Sequence, residues 1–181
     1  MNLPNRLTMT RILLIPLFLA VASLNYPYTD LFAAVLFVLG AATDGLDGYI
    51  ARKNRQVTVF GKFMDPLADK ILVSAALIVL VDLHRLPGWV AVLIISREFA
   101  VTGLRAISAA EGHVMAASKL GKIKTVTQIV AIVALFIRNF PFNLIEFPFS
   151  TVAMAVALFY TVWSGLDYFK STWALLKKGG Y

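Results

Sequence analysis

The chain has 181 residues, of which 59% are hydrophobic, and a formal net charge of +7. A soluble domain of this length has too little interior to bury so much apolar surface, so the composition predicts an integral membrane protein. The absence of cysteine excludes disulfides and thiolate metal sites. In a membrane protein, the positive charge favours phospholipid headgroups over nucleic acid as partners. Because Arg11 interrupts the first apolar run, no cleavable signal peptide is expected.

Six apolar stretches follow one another, each close to the ~20 residues that cross a bilayer. Turn-forming residues separate most of them, and only helices or closed barrels satisfy the backbone in lipid. The sequence therefore predicts an all-α integral membrane protein, one domain over 1–181, with six transmembrane helices. A short N-terminal interfacial segment, NLPNRLTMTRILL, is expected to precede them. The predicted spans are 8–26, 31–52, 62–83, 87–109, 119–138 and 148–169.

The basic residues are distributed unequally between the two sides of this predicted bundle. Of the 17 lysines and arginines, twelve lie at the termini and connections of one side, two lie on the other side, and three lie within spans. Cytoplasmic connections carry the excess of Lys and Arg in membrane proteins. Both termini and the 53–62 connection are therefore predicted to be cytoplasmic, in a multi-pass protein of the cell membrane.

Four aspartates lie within the 26-residue stretch DGLDGYIARKNRQVTVFGKFMDPLAD. On helices, Asp44 and Asp47 share one face, and Asp65 and Asp69 share another, so antiparallel neighbours would bring all four together near the cytoplasmic surface. Converging carboxylates repel one another in a low dielectric, and the ammonium of Lys70 cannot bridge four of them. A divalent cation is the simpler solution. Carboxylate ligands favour Mg²⁺ or Mn²⁺, and a pair of ions suits phosphoryl transfer.

The residues between the aspartates suit a phosphorylated substrate. Arg52 offers a bidentate fork for phosphate oxygens, and Gly48 and Gly61 leave room for a bulky substrate beside the backbone. Asp69 is the candidate general base toward an acceptor hydroxyl. A divalent-cation transporter or channel is the alternative from another functional class, because its pathway also carries intramembrane carboxylates. That alternative gives the arginine and the glycines no purpose.

A second charged group lies in the fourth and fifth predicted spans. Arg97, Glu98 and Arg105 interrupt the fourth span, and Lys122 and Lys124 begin the fifth. The four cations are placed to hold the phosphate of an anionic acceptor. Alternatively, the arginines pair with Glu98 or another buried acid and the lysines only set the topology, and the residues alone leave both interpretations open.

The aspartate stretch resembles the signature of the CDP-alcohol phosphotransferase family, D-x2-D-G-x2-A-R-x8-G-x3-D-x3-D. The resemblance implies that the four aspartates bind metal, that Asp69 also accepts a proton, and that Gly48 and Arg52 contact the CDP moiety. The eight matching positions are Asp44, Asp47, Gly48, Ala51, Arg52, Gly61, Asp65 and Asp69.

Two shorter similarities to the same family add substrate contacts. Thr58 stands three residues before Gly61, as it does in many members. Pro4, Asn5 and Thr8 are similar to an N-terminal segment that contacts the nucleotide in relatives.

The resemblance also extends along most of the chain, to members that transfer a phosphatidyl group from CDP-diacylglycerol to glycerol 3-phosphate. It favours phosphate binding by the group Arg97, Arg105, Lys122 and Lys124, without indicating which of these cations contacts the phosphate, and it suggests a homodimer. Inositol phosphate, serine and phosphatidylglycerol remain alternative acceptors. The stretches that carry this similarity are NLPNRLTMTR, GKFMDPLADKILV, SREFAVTGLR and LGKIKT.

Overall fold

The computed structural model describes most of the chain. Its backbone is described for residues 3–24, 26, 28–54, 59–110 and 118–178. Side chains are described for residues 9–24, 26, 28–43, 64, 67–109 and 118–171.

These residues form six α-helices and one short 3-10 helix, and the described part of the chain contains no strand. The all-α prediction is confirmed, and each predicted apolar stretch corresponds to one helix. The helices are α1 (Leu3–Ala22), α2 (Thr29–Asn54), α3 (Val59–Asp82), α4 (Gly88–Ala110), α5 (Lys119–Phe136) and α6 (Phe149–Lys178), with the 3-10 helix at Phe142–Ile145.

The N-terminal segment differs from the prediction. Instead of an interfacial segment that turns into a first span, Leu3–Ala22 forms one continuous helix. This helix contains no glycine, and its only proline before Pro16 is Pro4, in the first turn, where the missing N–H interrupts no helical hydrogen bond. The first helix therefore starts and ends several residues before the predicted span 8–26.

Helix α6 carries the clearest membrane-spanning segment. Among the described residues, only Phe149–Ser171 is long and apolar enough to cross a bilayer, with a mean hydropathy of 1.5. Met9–Ala22 and Thr29–Thr43 are shorter apolar helices. Helices α4 and α5 each contain three charged residues, which lower their hydropathy. The prediction of six spans is thus supported for one helix and stays a prediction for the others.

A polar cluster at one end of the bundle shows how the helices alternate in direction. Asp30, at the start of α2, accepts hydrogen bonds from Arg85, which follows α3, at 2.9 Å and from Arg138, which follows α5, at 2.6 Å. Arg85 also donates to the carbonyl oxygen of Phe136 at 3.0 Å. The start of α2 therefore meets the ends of α3 and α5 here, at what we call the Asp30 end. The other ends of these helices lie at the opposite end of the bundle.

The apolar core packs α1 against α2 and α3. The rings of Phe18 and Phe37 lie 6.4 Å apart, and those of Phe18 and Phe136 lie 5.6 Å apart edge to face. All three are completely buried. Gly40 allows α2 to approach α3 closely, because a Cβ atom at this position would lie 2.6 Å from Cδ2 of Leu72. The helices that carry the four aspartates are thus in direct contact.

Candidate functional site

A cavity of about 490 Å³ opens between α3, α4, α5 and α6, with Ala41 of α2 at its edge. It lies away from the Asp30 end, and it extends from the middle of α3 and α4 to the first turns of α5. Five cations and two carboxylates line it, so the wall is electropositive. These charged residues are Asp69, Lys70, Arg97, Glu98, Arg105, Lys122 and Lys124.

The structure thus brings together five of the predicted site residues. Arg97 and Arg105 reach the cavity from α4, where their spacing of eight residues places them on nearly one face. Lys122 and Lys124 reach it from the first turns of α5, and Asp69 reaches it from α3. The candidate base and the candidate phosphate-binding cations therefore share one cavity, although their individual roles stay predictions.

Glu98 forms an ion-pair cluster on this wall. Its Oε1 atom accepts hydrogen bonds from Nζ of Lys124 at 2.5 Å and from Nη1 of Arg97 at 3.2 Å. The side chains of Lys124, Arg97 and Glu98 are only 6%, 11% and 13% exposed. The pairing of Arg97 with Glu98, which the sequence left open as an alternative, is therefore present, and Lys124 joins it.

The guanidinium of Arg97 also forms hydrogen bonds to helix α6. Nε donates to the carbonyl oxygen of Thr161 at 3.2 Å, and Nη2 donates to the hydroxyl of Ser164 at 2.7 Å. The guanidinium carbon lies 5.9 Å from the centre of the Tyr168 ring, within cation–π range. Gly165 leaves room for the arginine stem, because a Cβ atom there would lie 3.2 Å from Cγ of Arg97.

The start of α5 is held by a second set of contacts. The hydroxyl of Ser118 accepts a hydrogen bond from the backbone N–H of Gly121 at 3.0 Å, which is an N-cap interaction. The Tyr168 hydroxyl accepts a hydrogen bond from the backbone N–H of Ser118 at 3.0 Å. These contacts fix the turn that carries Lys122. The sequence did not indicate a role for Tyr168, because the apolar pattern of α6 does not distinguish it. Ser118 could have been recognised, because a serine directly before a helix is a common N-cap.

Most side chains of the predicted nucleotide and metal site lie outside the described residues. Asp44 and Asp47 belong to α2, and Asp65 belongs to α3, next to the helix turn that carries Asp69. Thr58 lies outside the described residues altogether. The side chains or surroundings of the remaining predicted residues also lie outside them: Asn5, Thr8, Asp44, Asp47, Gly48, Arg52, Gly61 and Asp65.

The donor set of the predicted metal site is chemically suited to a hard cation. Its four ligands are carboxylates, two on α2 and two on α3, and these helices pack on each other. No cluster of three or more His, Asp or Glu occurs among the described side chains, which include only Asp69 of the four. The residues present therefore fit Mg²⁺ or Mn²⁺ by their chemistry, and their binding of metal stays a prediction.

Comparison with known proteins identifies the class. The profile of the CDP-alcohol phosphatidyltransferase family matches residues 1–163, and the chain belongs to this family. The family is membrane-associated, in agreement with the apolar helix α6. The resemblance seen in the aspartate stretch is thereby confirmed.

The more specific similarity is to curated proteins named CDP-diacylglycerol–glycerol-3-phosphate 3-phosphatidyltransferase. The chain is 52% identical over 188 aligned residues to that protein of Bacillus subtilis (strain 168), with 97% of each chain covered. It is 40% identical over 174 residues to that of Rickettsia bellii (strain RML369-C), with 94% of each chain covered. It is 38% identical over 191 residues to that of Pseudomonas fluorescens, with 99% of this chain and 94% of the relative covered.

Proposed function

We propose that the protein transfers the phosphatidyl group of CDP-diacylglycerol to glycerol 3-phosphate, which gives phosphatidylglycerophosphate and CMP. Family membership and the names of relatives that align over nearly the whole chain support this reaction. The structural observation that carries it is the cavity in which Asp69 faces a wall of cations. A single cavity then contains a candidate base for the acceptor hydroxyl and candidate ligands for the acceptor phosphate.

The acceptor is held by its phosphate group. Arg105 and Lys122 line the cavity with exposed side chains. Lys124 contributes an ammonium group with three donors, one of which is directed to Glu98. A guanidinium and two ammonium groups suit the oxygens of a phosphate dianion. The cavity volume of about 490 Å³ lies within the usual range for small-molecule sites. Arg97 adds positive charge while its own donors are directed to Glu98 and α6.

Asp69 is the general base of the transfer. It takes the proton from the 1-hydroxyl of glycerol 3-phosphate, and the resulting oxygen attacks the phosphorus atom on the lipid side of the diphosphate. The bond from this phosphorus to the bridging oxygen breaks, and CMP leaves with that oxygen. The phosphate-binding cations orient the acceptor so that its hydroxyl lies beside Asp69.

The nucleotide side of the site is formed by the aspartate stretch. Asp44, Asp47, Asp65 and Asp69 would hold two Mg²⁺ or Mn²⁺ ions, which neutralise diphosphate charge when bound. The remaining contacts to the nucleotide lipid are assigned from the family resemblance to Asn5, Thr8, Gly48, Arg52, Thr58 and Gly61.

The proposed setting is the cell membrane, with one domain over 1–181 and six transmembrane helices. The alternating helix directions seen at the Asp30 end support this topology, and the excess of basic residues on one side supports cytoplasmic termini. The cavity then opens at the cytoplasmic face, where CDP-diacylglycerol enters laterally from the inner leaflet. A homodimer is proposed from the family resemblance.

The test is an acceptor panel with the full-length protein in detergent micelles that contain CDP-diacylglycerol and Mg²⁺. We expect CMP release with glycerol 3-phosphate and none with inositol phosphate, serine or phosphatidylglycerol, with mass spectrometry identifying the lipid product. Release with another acceptor would keep the chemistry and replace the substrate. Absence of CMP with every acceptor, together with divalent-cation flux in sealed vesicles, would support the transporter instead.

A further inference from the structure

Glu98 is an acidic side chain on a wall that otherwise supplies cations for an anionic acceptor. Its Oε1 atom bridges Lys124 on α5 and Arg97 on α4, at 2.5 Å and 3.2 Å. Helix α4 packs on α3 and α6, whereas α5 packs on α2, α3 and α6. The ion pair between Glu98 and Lys124 therefore connects two helices that flank the cavity.

We propose that Glu98 is a positioning residue of the acceptor site, which acts by fixing the ammonium of Lys124 at the cavity wall. The inference rests on the proposed function, because it assigns a purpose to Glu98 within that reaction. Glu98 itself does not contact the acceptor phosphate, which its charge would repel. It determines the position of the ammonium group of Lys124, which binds the phosphate.

The carboxylate is itself held in place through Arg97. The guanidinium of Arg97 is attached to α6 by the Thr161 carbonyl and the Ser164 hydroxyl. The Thr161 hydroxyl accepts a hydrogen bond from Gln128 of α5 at 2.9 Å, and Thr161 and Ser164 are completely buried. This continuous set of contacts joins α4, α5 and α6 and ends at the ammonium of Lys124.

The negative charge of Glu98 indicates that this residue contributes to the geometry of the acceptor site and not to its affinity for phosphate. An additional carboxylate near the acceptor weakens the attraction between the cations and a phosphate dianion. A lysine side chain, however, has a long and flexible stem. An ammonium group that occupies several positions would hold the phosphate in several positions. Since a misplacement of about 1 Å can lower a rate about 100-fold, fixing Lys124 has more effect on turnover than the lost attraction has on binding.

The inference is tested by steady-state kinetics of Glu98→Gln, which keeps the side-chain shape and removes the charge. We expect kcat to fall about 100-fold because Lys124 is no longer fixed. We expect the KM for glycerol 3-phosphate to fall at least about threefold, because a negative charge has been removed from the phosphate site. The KM for CDP-diacylglycerol should stay unchanged. A smaller fraction of folded enzyme would lower the apparent kcat but cannot lower a KM.

Two further variants separate positioning from binding. Lys124→Met removes a phosphate ligand and should raise the KM for glycerol 3-phosphate about tenfold. In the double variant, which combines Glu98→Gln with Lys124→Met, the fold-loss in kcat should be clearly smaller than the product of the two single fold-losses, because Glu98 acts through Lys124. Glu98→Asp, which keeps the charge, should retain more activity than Glu98→Gln. Glu146→Gln, on an exposed turn away from the cavity, is the matched control and should behave as wild type.

Three results would overturn the inference. A raised KM for glycerol 3-phosphate in Glu98→Gln would show that Glu98 contributes to acceptor affinity and would contradict a role in geometry alone. A multiplicative loss in the double variant would show that Glu98 does not act through Lys124. A lower thermal midpoint with both KM values unchanged would reduce Glu98 to a structural role. Failure of the wild type to release CMP with glycerol 3-phosphate would instead contradict the proposed function, so the two failures are distinguishable.

Discussion

Arg11 of α1 donates a hydrogen bond from Nε to the carbonyl oxygen of Gly40 in α2 at 3.2 Å, with its side chain completely buried. The same Nε lies 3.3 Å from the hydroxyl of Thr43, which itself donates to the Gly40 carbonyl. Thr43 directly precedes Asp44, the first of the proposed metal ligands, and Gly40 lies one helical turn before it. Arg11 therefore attaches α1 to the turn of α2 that leads into the aspartate stretch.

Replacing Arg11 by Met, which has a similar length but no donor, should destabilise the protein and lower its activity. Loss of a hydrogen-bonded buried group costs about 1–3 kcal/mol, and the start of the aspartate stretch loses its contact with α1. Thermal unfolding in detergent and CMP release measure the two effects. Arg138→Met is the control, because Arg138 is 72% exposed and its ion pair contributes at most about 1 kcal/mol. Equal effects of the two substitutions would contradict this role.

Asp69→Asn should lower kcat by about 10²–10⁴-fold, which is the usual contribution of a general base. Binding of CDP-diacylglycerol should remain measurable, because the amide retains an oxygen and the other proposed ligands are unchanged. CMP release and equilibrium binding of the nucleotide are the two measurements. Asp82→Asn, at the exposed far end of the same helix, should be active. Full activity of Asp69→Asn would eliminate Asp69 as the base.

The positions of the helices and the family were predictable from the sequence for physical reasons. Apolar stretches near the length of a span mark helices, since they have few other ways to satisfy their backbone in lipid. Eight residues at fixed spacing marked the family. The shared cavity of Asp69 and the cations was also predictable, because helical spacing and alternating direction bring Arg97, Arg105 and the α5 lysines to one end of the bundle.

The contacts that organise the site were not predictable, because they join residues that are distant in the chain. Glu98 and Lys124 are 26 positions apart, and Ser118 and Tyr168 are 50 positions apart. Such contacts depend on how helices pack, which apolar periodicity does not determine. In the sequence, Arg11 only interrupts the first apolar run, and its burial follows from the packing of α1 on α2.

Asp30→Asn should destabilise the protein without changing the kinetics of the folded enzyme. Asp30 holds Arg85 and Arg138 at the end of the bundle away from the cavity, and its pair with Arg85 is mostly buried. Loss of the carboxylate charge should lower the free energy of unfolding by about 1–3 kcal/mol, because Arg85 stays partly buried without its counter-ion. Thermal midpoints and both KM values are measured together. Altered KM values at unchanged stability would show that this end of the bundle is coupled to the site.

Gly165→Ala tests whether the placement of Arg97 matters for turnover. The added Cβ would lie 3.2 Å from Cγ and 3.6 Å from Nε of Arg97, so the arginine must shift by a few tenths of an ångström. The guanidinium of Arg97 contacts Thr161 and Ser164 and also donates to Glu98 through Nη1. A shift of Arg97 therefore also displaces Glu98. We expect kcat to fall about three- to tenfold, with the KM for CDP-diacylglycerol unchanged.

Gly103→Ala is the matched control for this substitution. It lies on α4, and a Cβ atom there would meet nothing within 4 Å. Both substitutions replace a helical glycine by alanine, so each should gain up to about 1 kcal/mol of helix stability. Gly103→Ala should therefore keep wild-type kinetics with an equal or higher thermal midpoint. If Gly165→Ala has the same kcat as Gly103→Ala, the exact position of Arg97 does not control the rate, and Glu98 must be held by other contacts.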